Sequence, residues 1–539
     1  MKWGDLFGCC LKKFPSDEGQ KSRAPPPTAV QRAQAACRAL KEGKQLMIPS
    51  LQDPQAIQFV ICPELAKRLL KYEETLSSDD DSHSDASYEN DETTGRPACI
   101  VTTDNKNKNN NKVRLDKPSK PTLLLQHALT NQNSSNWRRQ RRILQRAFAK
   151  SKPVRRLAAQ FAVGEVKRYF HFHFAQNSND NDDSSTHKMK RRIVVLDVRT
   201  FALDVSLATI CFATFGKEHY KEILDKLKPI YLPSLRAIRR GEGDPTLATN
   251  LKSAVTKALM GISSNMEANT EDQECLAYYF LQCEAGIDDS SSKLTRDEVI
   301  SNCHSALLAG TQTMCTTLAM AILHLADRNT MKNQQQSSSS SSSDDETRNK
   351  VQLPSSKSIL LETLRILPPV ASLPRCPVGE GGLKVEIIHH HHTDDDDDDI
   401  LSRTNLVREH SIVVMDTLAM AHAQHDSNFH QGEDTSCGSS WKFDPSQRSS
   451  SMGNAAPWGM GARKCPAGIL SLDCLKAVLD YLRDDDDDNT ILWRLQDPLK
   501  DGAGTSGTGG WVSLVQYTPT LTFPEPILVE FSHHGRKAY

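Results

Sequence analysis

The sequence predicts a mainly α-helical fold with a small β-sheet on its N-terminal side and a β-hairpin close to its C-terminal end. Apolar residues recur at helical spacing through most of the chain, and apolar runs bounded by turn residues cluster at 45–61 and 511–531. Only 38% of the 539 residues are hydrophobic and much of the length is low-complexity, so one large domain with inserted tracts is expected rather than several domains. Residues 1–30 are read as a flexible tail and 31–539 as that domain.

In chain order, Cys9 and Cys10 stand beside Leu6, Phe7, Lys12 and Lys13. This start suits either acylation with peripheral membrane attachment or an ordinary disordered tail. A helix is expected from about Thr28 to Lys44, then strand-like runs Gln45–Leu51 and Ala56–Ile61 around an Asp53-Pro54 turn. Pro63 opens a second helix through Leu70. The tracts near 77–112, 176–186, 333–350, 389–400 and 484–489 are too polar to offset their ordering entropy, and are expected to be surface loops. His389 to His392 beside six aspartates belong to one of them. Val194 to Phe215 continues the helical pattern, a short apolar run followed by Phe201, Val205, Ala208 and Phe212 at helical spacing, and Trp511–Tyr517 with Ile527–Phe531 read as a final strand pair.

A formal net charge of −1 and a pI of about 7.0 give no global field for nucleic acid or an anionic membrane. No run of 18 apolar residues occurs, so no transmembrane span is expected, and location is read as cytoplasmic or peripherally membrane-attached. Fourteen cysteines without paired metal-type spacing read as reduced intracellular thiols.

Three helical stretches carry chemistry. Trp137, Arg141, Leu144 and Phe148 share one face, where a partly buried Arg141 should meet an anion. Arg138, Arg142 and Arg146 form a separate stripe, suited to an acidic partner or simply to solvent. Thr295-Arg-Asp-Glu298 is a capping box opening the longest helical pattern, to about Leu325, roughly 45 Å at 1.5 Å per residue. Inside it, Ala309-Gly310-Thr311-Gln312-Thr313 offers either a groove with a hydroxyl and an amide or a small-residue patch for close helix packing. Glu362 and Arg365 stand at i and i+3 on an apolar helix that stops at Pro368-Pro369, and such a buried pair needs a further partner, for which Arg448 is the candidate.

The stretch Trp458-Gly-Met-Gly461-Ala-Arg463-Lys-Cys465-Pro-Ala467-Gly468 surrounds one cysteine with small residues, as a loop does when a sulfur must approach a large flat group under backbone N–H groups. Cys465 is the candidate metal ligand, against the plainer reading of a small buried hydrophobe. Ile469, Leu472, Leu475, Val478, Leu479 and Leu482 make one face of the next helix, whose positive N-terminus would favour the thiolate.

Four landmarks in this order, Trp137-x-x-x-Arg141, Ala309-Gly310-x-Gln312-Thr313, Glu362-x-x-Arg365 and Trp458-x-x-Gly461-x-Arg463-x-Cys465, resemble the cytochrome P-450 superfamily of haem-thiolate monooxygenases. The resemblance implies a helical prism binding haem b, with Cys465 as axial thiolate and Trp137, Arg141, Arg375 and Arg463 at the propionates. Trp458, Gly461 and Ala467 would shape the cysteine loop. Ala309, Gly310, Gln312 and Thr313 would line the oxygen groove, and Glu362, Arg365 and Arg448 would form a structural charge cluster. It also implies a separate NADPH-dependent flavoprotein reductase or ferredoxin, and a small apolar substrate.

Trp458 stands where the family carries Phe, Ala467 where it carries Gly, and Arg448 one residue late. Gln312 replaces the usual acid before the threonine, and an amide cannot cycle a proton. Two further readings therefore stand beside the monooxygenase: a reductase-independent isomerase, dehydratase or peroxygenase acting on oxidised lipids, and a non-catalytic haem-binding protein.

Overall fold

A computed structural model describes residues 28–41, 47–49, 57–74, 98–103, 114–116, 124–176, 192–240, 245–266, 274–286, 293–338, 354–378, 383–390, 400–407, 411–427, 443–445, 457–483, 491–495, 512, 515, 521, 523 and 526–533. The tail before Thr28, with Cys9 and Cys10, lies outside them, as do Arg448 and most of each low-complexity tract.

Helix α1 (Ala29–Lys41) opens on reciprocal bonds between Thr28 and Gln31, at 2.9 and 3.2 Å, which satisfy donors a helix start leaves open. Strands β1 (Met47–Pro49) and β2 (Ile57–Val60) pair antiparallel inside the expected runs, and α2 (Pro63–Glu74) carries Pro63 at its start. Strands β3 (Ala98–Thr103) and β4 (Arg114–Asp116) follow. A 3-10 turn at Leu129–Asn131 leads to α3 (Ser134–Lys150) and α4 (Lys152–Gln176).

Strand β5 (Arg192–Asp197) corrects the expectation of continuous helix from Val194: helix α5 (Val198–Arg240) begins only after it and breaks its backbone at Gly216, with φ +75°. Alternation explains the difference, since Val194 and Leu196 are buried while Ile193 and Val195 are exposed. Helices α6 (Pro245–Asn265), α7 (Leu276–Ala285), α8 (Arg296–Ser338) and α9 (Ser356–Ile366) complete the central layer. The long helix runs to Ser338, past Leu325 and into the tract from 333 expected to be a loop.

After α9 come β6 (Ser372–Val378), β7 (Leu383–His390), β8 (Ile400–Val407), β9 (Ile412–Asp416) and α10 (Thr417–Ser427), then α11 (Gly468–Leu482), β10 (Ile491–Leu495) and β11 (Leu528–His533). One sheet has the order β1-β2-β9-β6-β4, with β2 and β9 parallel, and two others are β10-β11-β5 and β3-β7-β8. Two loop expectations are thereby corrected: Ala98–Thr103 is a strand, and His389, His390 and Ile400 belong to the β7–β8 hairpin, pairing as His390 with Ile400. The strand pair near the C-terminal end is also corrected. β11 pairs with β10 and β5, while Val512 and Val515, the described residues of the run expected to partner it, are not in a strand.

The core lies between α5 and α8. Val198–Pro229 and Arg296–Ala326 are long and apolar enough to cross a membrane, but their apolar windows are 78% and 67% buried inside the protein. Their apolarity belongs to the core. A Cβ on Gly310 would come within 2.9 Å of the Ile210 side chain, so the small residue lets α5 and α8 approach closely. The N-terminal helix is tied down by Arg32, whose Nε donates to the fully buried Asp416 at 2.9 Å while its guanidinium lies 4.3 Å from the Phe59 ring centre.

Candidate functional site

The loop before α11 is shaped by its glycines. Gly459 and Gly461 hold φ of +77° and +67°, left-handed values that side chains with a Cβ rarely adopt. The chain then doubles back, with the Cys465 N–H donating to the Trp458 carbonyl at 2.8 Å and the Lys464 N–H to that of Gly461 at 3.2 Å. Ala467 sits at φ −95°, ψ 10°, which asks nothing of glycine there. Gly468 is the tight position: a Cβ would lie 2.8–3.0 Å from the Trp458 indole.

Cys465 keeps exposed surface, unlike Cys211, Cys275, Cys283, Cys303, Cys315 and Cys474, which are buried. The Ala467 N–H donates to its sulfur and Arg141 lies close enough to act on it electrostatically. Both favour the thiolate, yet desolvation by the surrounding protein is larger and pushes the thiol up. The expected helix-terminus effect is therefore present but outweighed. Buried too is part of the Arg141 guanidinium, which lowers its pKa against the opposing pull of the sulfur. Arg141 sits on the α3 face, where Trp137 and Leu144 are buried and Phe148 half-buried, with the Cys465 sulfur as its electrostatic neighbour.

Trp137 and Arg463 join the two halves of the site. The Arg463 guanidinium lies 4.5 Å from the Trp137 ring centre and donates to the Gln132 carbonyl at 3.1 Å and the Asn133 side chain at 2.7 Å. That binding draws it toward the start of α3. Arg375 is buried on β6 opposite Val413 and donates to the Pro374 carbonyl at 2.9 Å.

On α8, Ala309 is exposed and Gln312 and Thr313 half-buried, in a segment whose neighbours Thr311 and Met314 are buried. Ser305, Ala309 and Thr313 are spaced by four, so this accessible stripe runs along one helix face. The helix stays continuous through Gly310, and Thr313 Oγ1 donates to the Ala309 carbonyl at 2.8 Å.

Glu362 and Arg365 form a two-pronged pair at 2.8 Å for both contacts, buried on α9. The further partner seen is the backbone N–H of Asp444, which donates to Glu362 at 3.0 Å. Sequence reasoning missed this, and it missed His324, stacked on Phe443 at 4.2 Å with Arg365 near enough to help burial drive its pKa down to about 3. The Asp444-Pro445 dipeptide marked a turn, but nothing in the pattern aimed its N–H. On α11 the buried face is Leu470, Cys474, Leu475, Val478, Leu479 and Leu482; Ile469, expected on it, is 62% exposed.

Residues 246–380 match the family model described as Cytochrome P450. Among solved structures, the chain is similar to a cytochrome P450 named CYP102L1, at 15% identity over 93% of this chain and 94% of that one, with a TM-score of 0.55. It is also similar to CYP154A1 from Streptomyces coelicolor A3(2), at 16% identity over 94% and 98% with a TM-score of 0.51. A third is a retinoic acid-bound cyanobacterial CYP120A1, at 14% identity over 92% and 93% with a TM-score of 0.51. A comparison with curated proteins finds no match to this sequence. At these identities the solved structures speak for the fold: the chain has the fold of the cytochrome P450 structures, and residues 246–380 within it match the Cytochrome P450 family model.

Proposed function

We propose that the protein is a monooxygenase that inserts one oxygen atom from O₂ into a small apolar substrate, with Cys465 as the residue whose thiolate would hold haem b. The observation that carries this reading is the Cys465 environment: a cysteine with exposed surface whose sulfur takes the Ala467 N–H, with Arg141 beside it, at the head of α11. The donor set fits the group. A thiol held protonated by burial becomes a thiolate when a metal cation lies against it, and Arg141 with the Trp137–Arg463 pair suits the carboxylates of a large flat ligand. Haem, when bound, supplies an iron centre that activates oxygen, and a thiolate beneath it favours O–O cleavage.

The chain's own residues then have separate tasks. The Ala467 N–H donates to the Cys465 sulfur and moderates its charge. Arg141 and Arg463 orient ligand carboxylates, with Arg375 on β6 a third contact, while Trp458 and Gly461 hold the loop in shape. Ala309 and Gly310 leave room on α8, and Thr313, turning its hydroxyl away from the Ala309 carbonyl, passes protons through ordered water. Glu362 and Arg365 hold α9 to the Asp444 turn, and Arg448 is proposed to join them. Electrons come from a separate NADPH-dependent flavoprotein or a ferredoxin. The outward side of α3, with Arg142 and Arg146 exposed and Arg138 half-buried, is the proposed landing surface.

The test is the absorbance spectrum of the haem-loaded protein, reduced and treated with CO, beside that of Cys465→Ser. The thiolate signature is expected in the first and lost in the second. Absence from the first, or retention in the second, overturns the assignment. A second reading, a reductase-independent enzyme acting on a hydroperoxide, is favoured by Gln312, which cannot relay a proton as a carboxylate does. Product formed from a fatty-acid hydroperoxide without any electron donor selects it.

A further inference from the structure

One polar network lies apart from the cysteine loop and joins three segments of the chain. Its centre is Glu298, buried in the first turn of α8. One carboxylate oxygen accepts the Thr295 N–H at 2.9 Å, closing the capping box, while the Glu298 N–H donates to Thr295 Oγ1 at 3.3 Å. The other oxygen accepts the Arg139 guanidinium and the Gln140 amide, the latter at 2.9 Å, both from α3. Gln140 is fully buried, and its amide also donates to the His127 carbonyl at 3.0 Å.

Its oxygen accepts from Asn302 Nδ2 at 3.2 Å, and Asn302 Oδ1 accepts the Leu129 N–H at 2.9 Å. One residue further on, Thr130 and Ser305 share a hydroxyl contact at 3.2 Å. Ser305 lies one helical turn before Ala309 on the accessible face of α8. A carboxylate taking donors on both of its oxygens has a task that a helix cap alone does not require.

We propose that Glu298 is a positioning residue, locking α3 and the Leu129–Asn131 turn onto α8 so that the turn stays seated one helical turn from Ala309. The network therefore ties the helix that carries Trp137 and Arg141 to the helix that carries Ala309, Gln312 and Thr313. Replacing Glu298 with Gln puts an NH₂ against Thr295 N–H or against Arg139 and Gln140. Donor then faces donor, and the latch opens on one side while the side-chain shape is kept.

Two rates read the latch. Amide hydrogen exchange at Leu129, taken relative to the α8 core amides of Leu318 to Leu323, is expected to quicken about tenfold in Glu298→Gln and in Asn302→Leu, the factor lost with one hydrogen bond of ordinary net strength. CO association with the reduced, haem-loaded protein is expected to quicken severalfold in the same variants. Thr295→Ala, which removes only the cap, is expected to lower the melting temperature and leave both rates near those of the parent.

Unchanged rates in Glu298→Gln, or equal acceleration in Thr295→Ala, overturn the proposal. If Glu298→Gln does not accumulate as folded protein, Gln140→Leu, which leaves the carboxylate its cap and Arg139, is read by the same outcomes. The CO rate rests on the haem reading, but the exchange rate does not. A protein without a thiolate signature would end the former and leave the latch decided by Leu129.

Discussion

Removing one member of the Glu362–Arg365 pair should destabilise the protein far more than removing both. Each side chain is at least nine-tenths buried and the two contacts are both 2.8 Å, so Glu362→Met or Arg365→Met takes the two-pronged partner from a charge held in the protein interior. Breaking a buried pair this way costs about 3–5 kcal/mol. The double variant Glu362→Met/Arg365→Met removes both charges and replaces them with apolar volume, which by itself is close to neutral. It still takes the acceptor from the part-buried Asp444 N–H, 3.0 Å from Glu362, a loss of about 1 kcal/mol. The double variant should therefore fall below either single one in cost but not reach zero. Urea unfolding followed by tryptophan fluorescence, with unchanged slopes, measures all three. Single variants costing under about 1 kcal/mol, or a double costing the sum of the singles, would refute the reasoning.

Gly468→Ala should cost about 1–3 kcal/mol, because its Cβ meets the Trp458 ring at 2.8–3.0 Å, and a smaller residue at 458 should recover part of that loss; thermal melts of the two variants and their combination check it. His304, fully buried on α8 with no hydrogen bond recorded to either ring nitrogen among the described residues, has its pKa driven from 6.5 down to about 4 by burial, with Lys252 adding to the effect. The unfolded chain then binds more protons between those values, so the stability that neutral His304 keeps above pH 6.5 should fall as pH drops toward 4, at about 1.4 kcal/mol per pH unit. His304→Leu should flatten the urea stability profile over that window by one proton, and an unchanged slope would show that His304 does not titrate there. Loss of the CO thiolate signature in Cys465→Ser completes the set.

Local residue patterns carried much of the fold. The Thr295–Glu298 capping box, the Pro63 helix start and the stop at Pro368-Pro369 are short-range effects, and each is found where its residues place it. Strands were harder. Met47–Pro49 and Ile57–Val60 announced themselves as apolar runs, whereas Ala98–Thr103 and Ile400–Val407 adjoin Asn-, Lys- and Asp-rich tracts that mask their alternation. Arg192–Asp197 adjoins a helix with no intervening turn, so its period of two merged with the helical signal. Ile469 fits the apolar stripe of α11 by spacing and is nonetheless exposed, while Leu470 beside it takes the buried face.

By itself the sequence determined the helical class, the small-residue loop around Cys465 and the Glu362–Arg365 pairing three residues apart. These follow from backbone geometry over one or two turns, which neighbouring residues settle among themselves. Only the tertiary structure decided that Asp444 joins the Glu362 cluster, that Arg463 stacks on Trp137, and that Glu298 gathers two donors from α3. Those contacts span about 80 to 330 residues of chain, and their partners are chosen by how helices and loops pack after the local structure exists. Nothing in the pattern near either partner points to the other. The Cys465 sulfur shows the same division: its loop is local, while the balance between burial, the Ala467 N–H and Arg141 is struck by residues from two distant parts of the sequence.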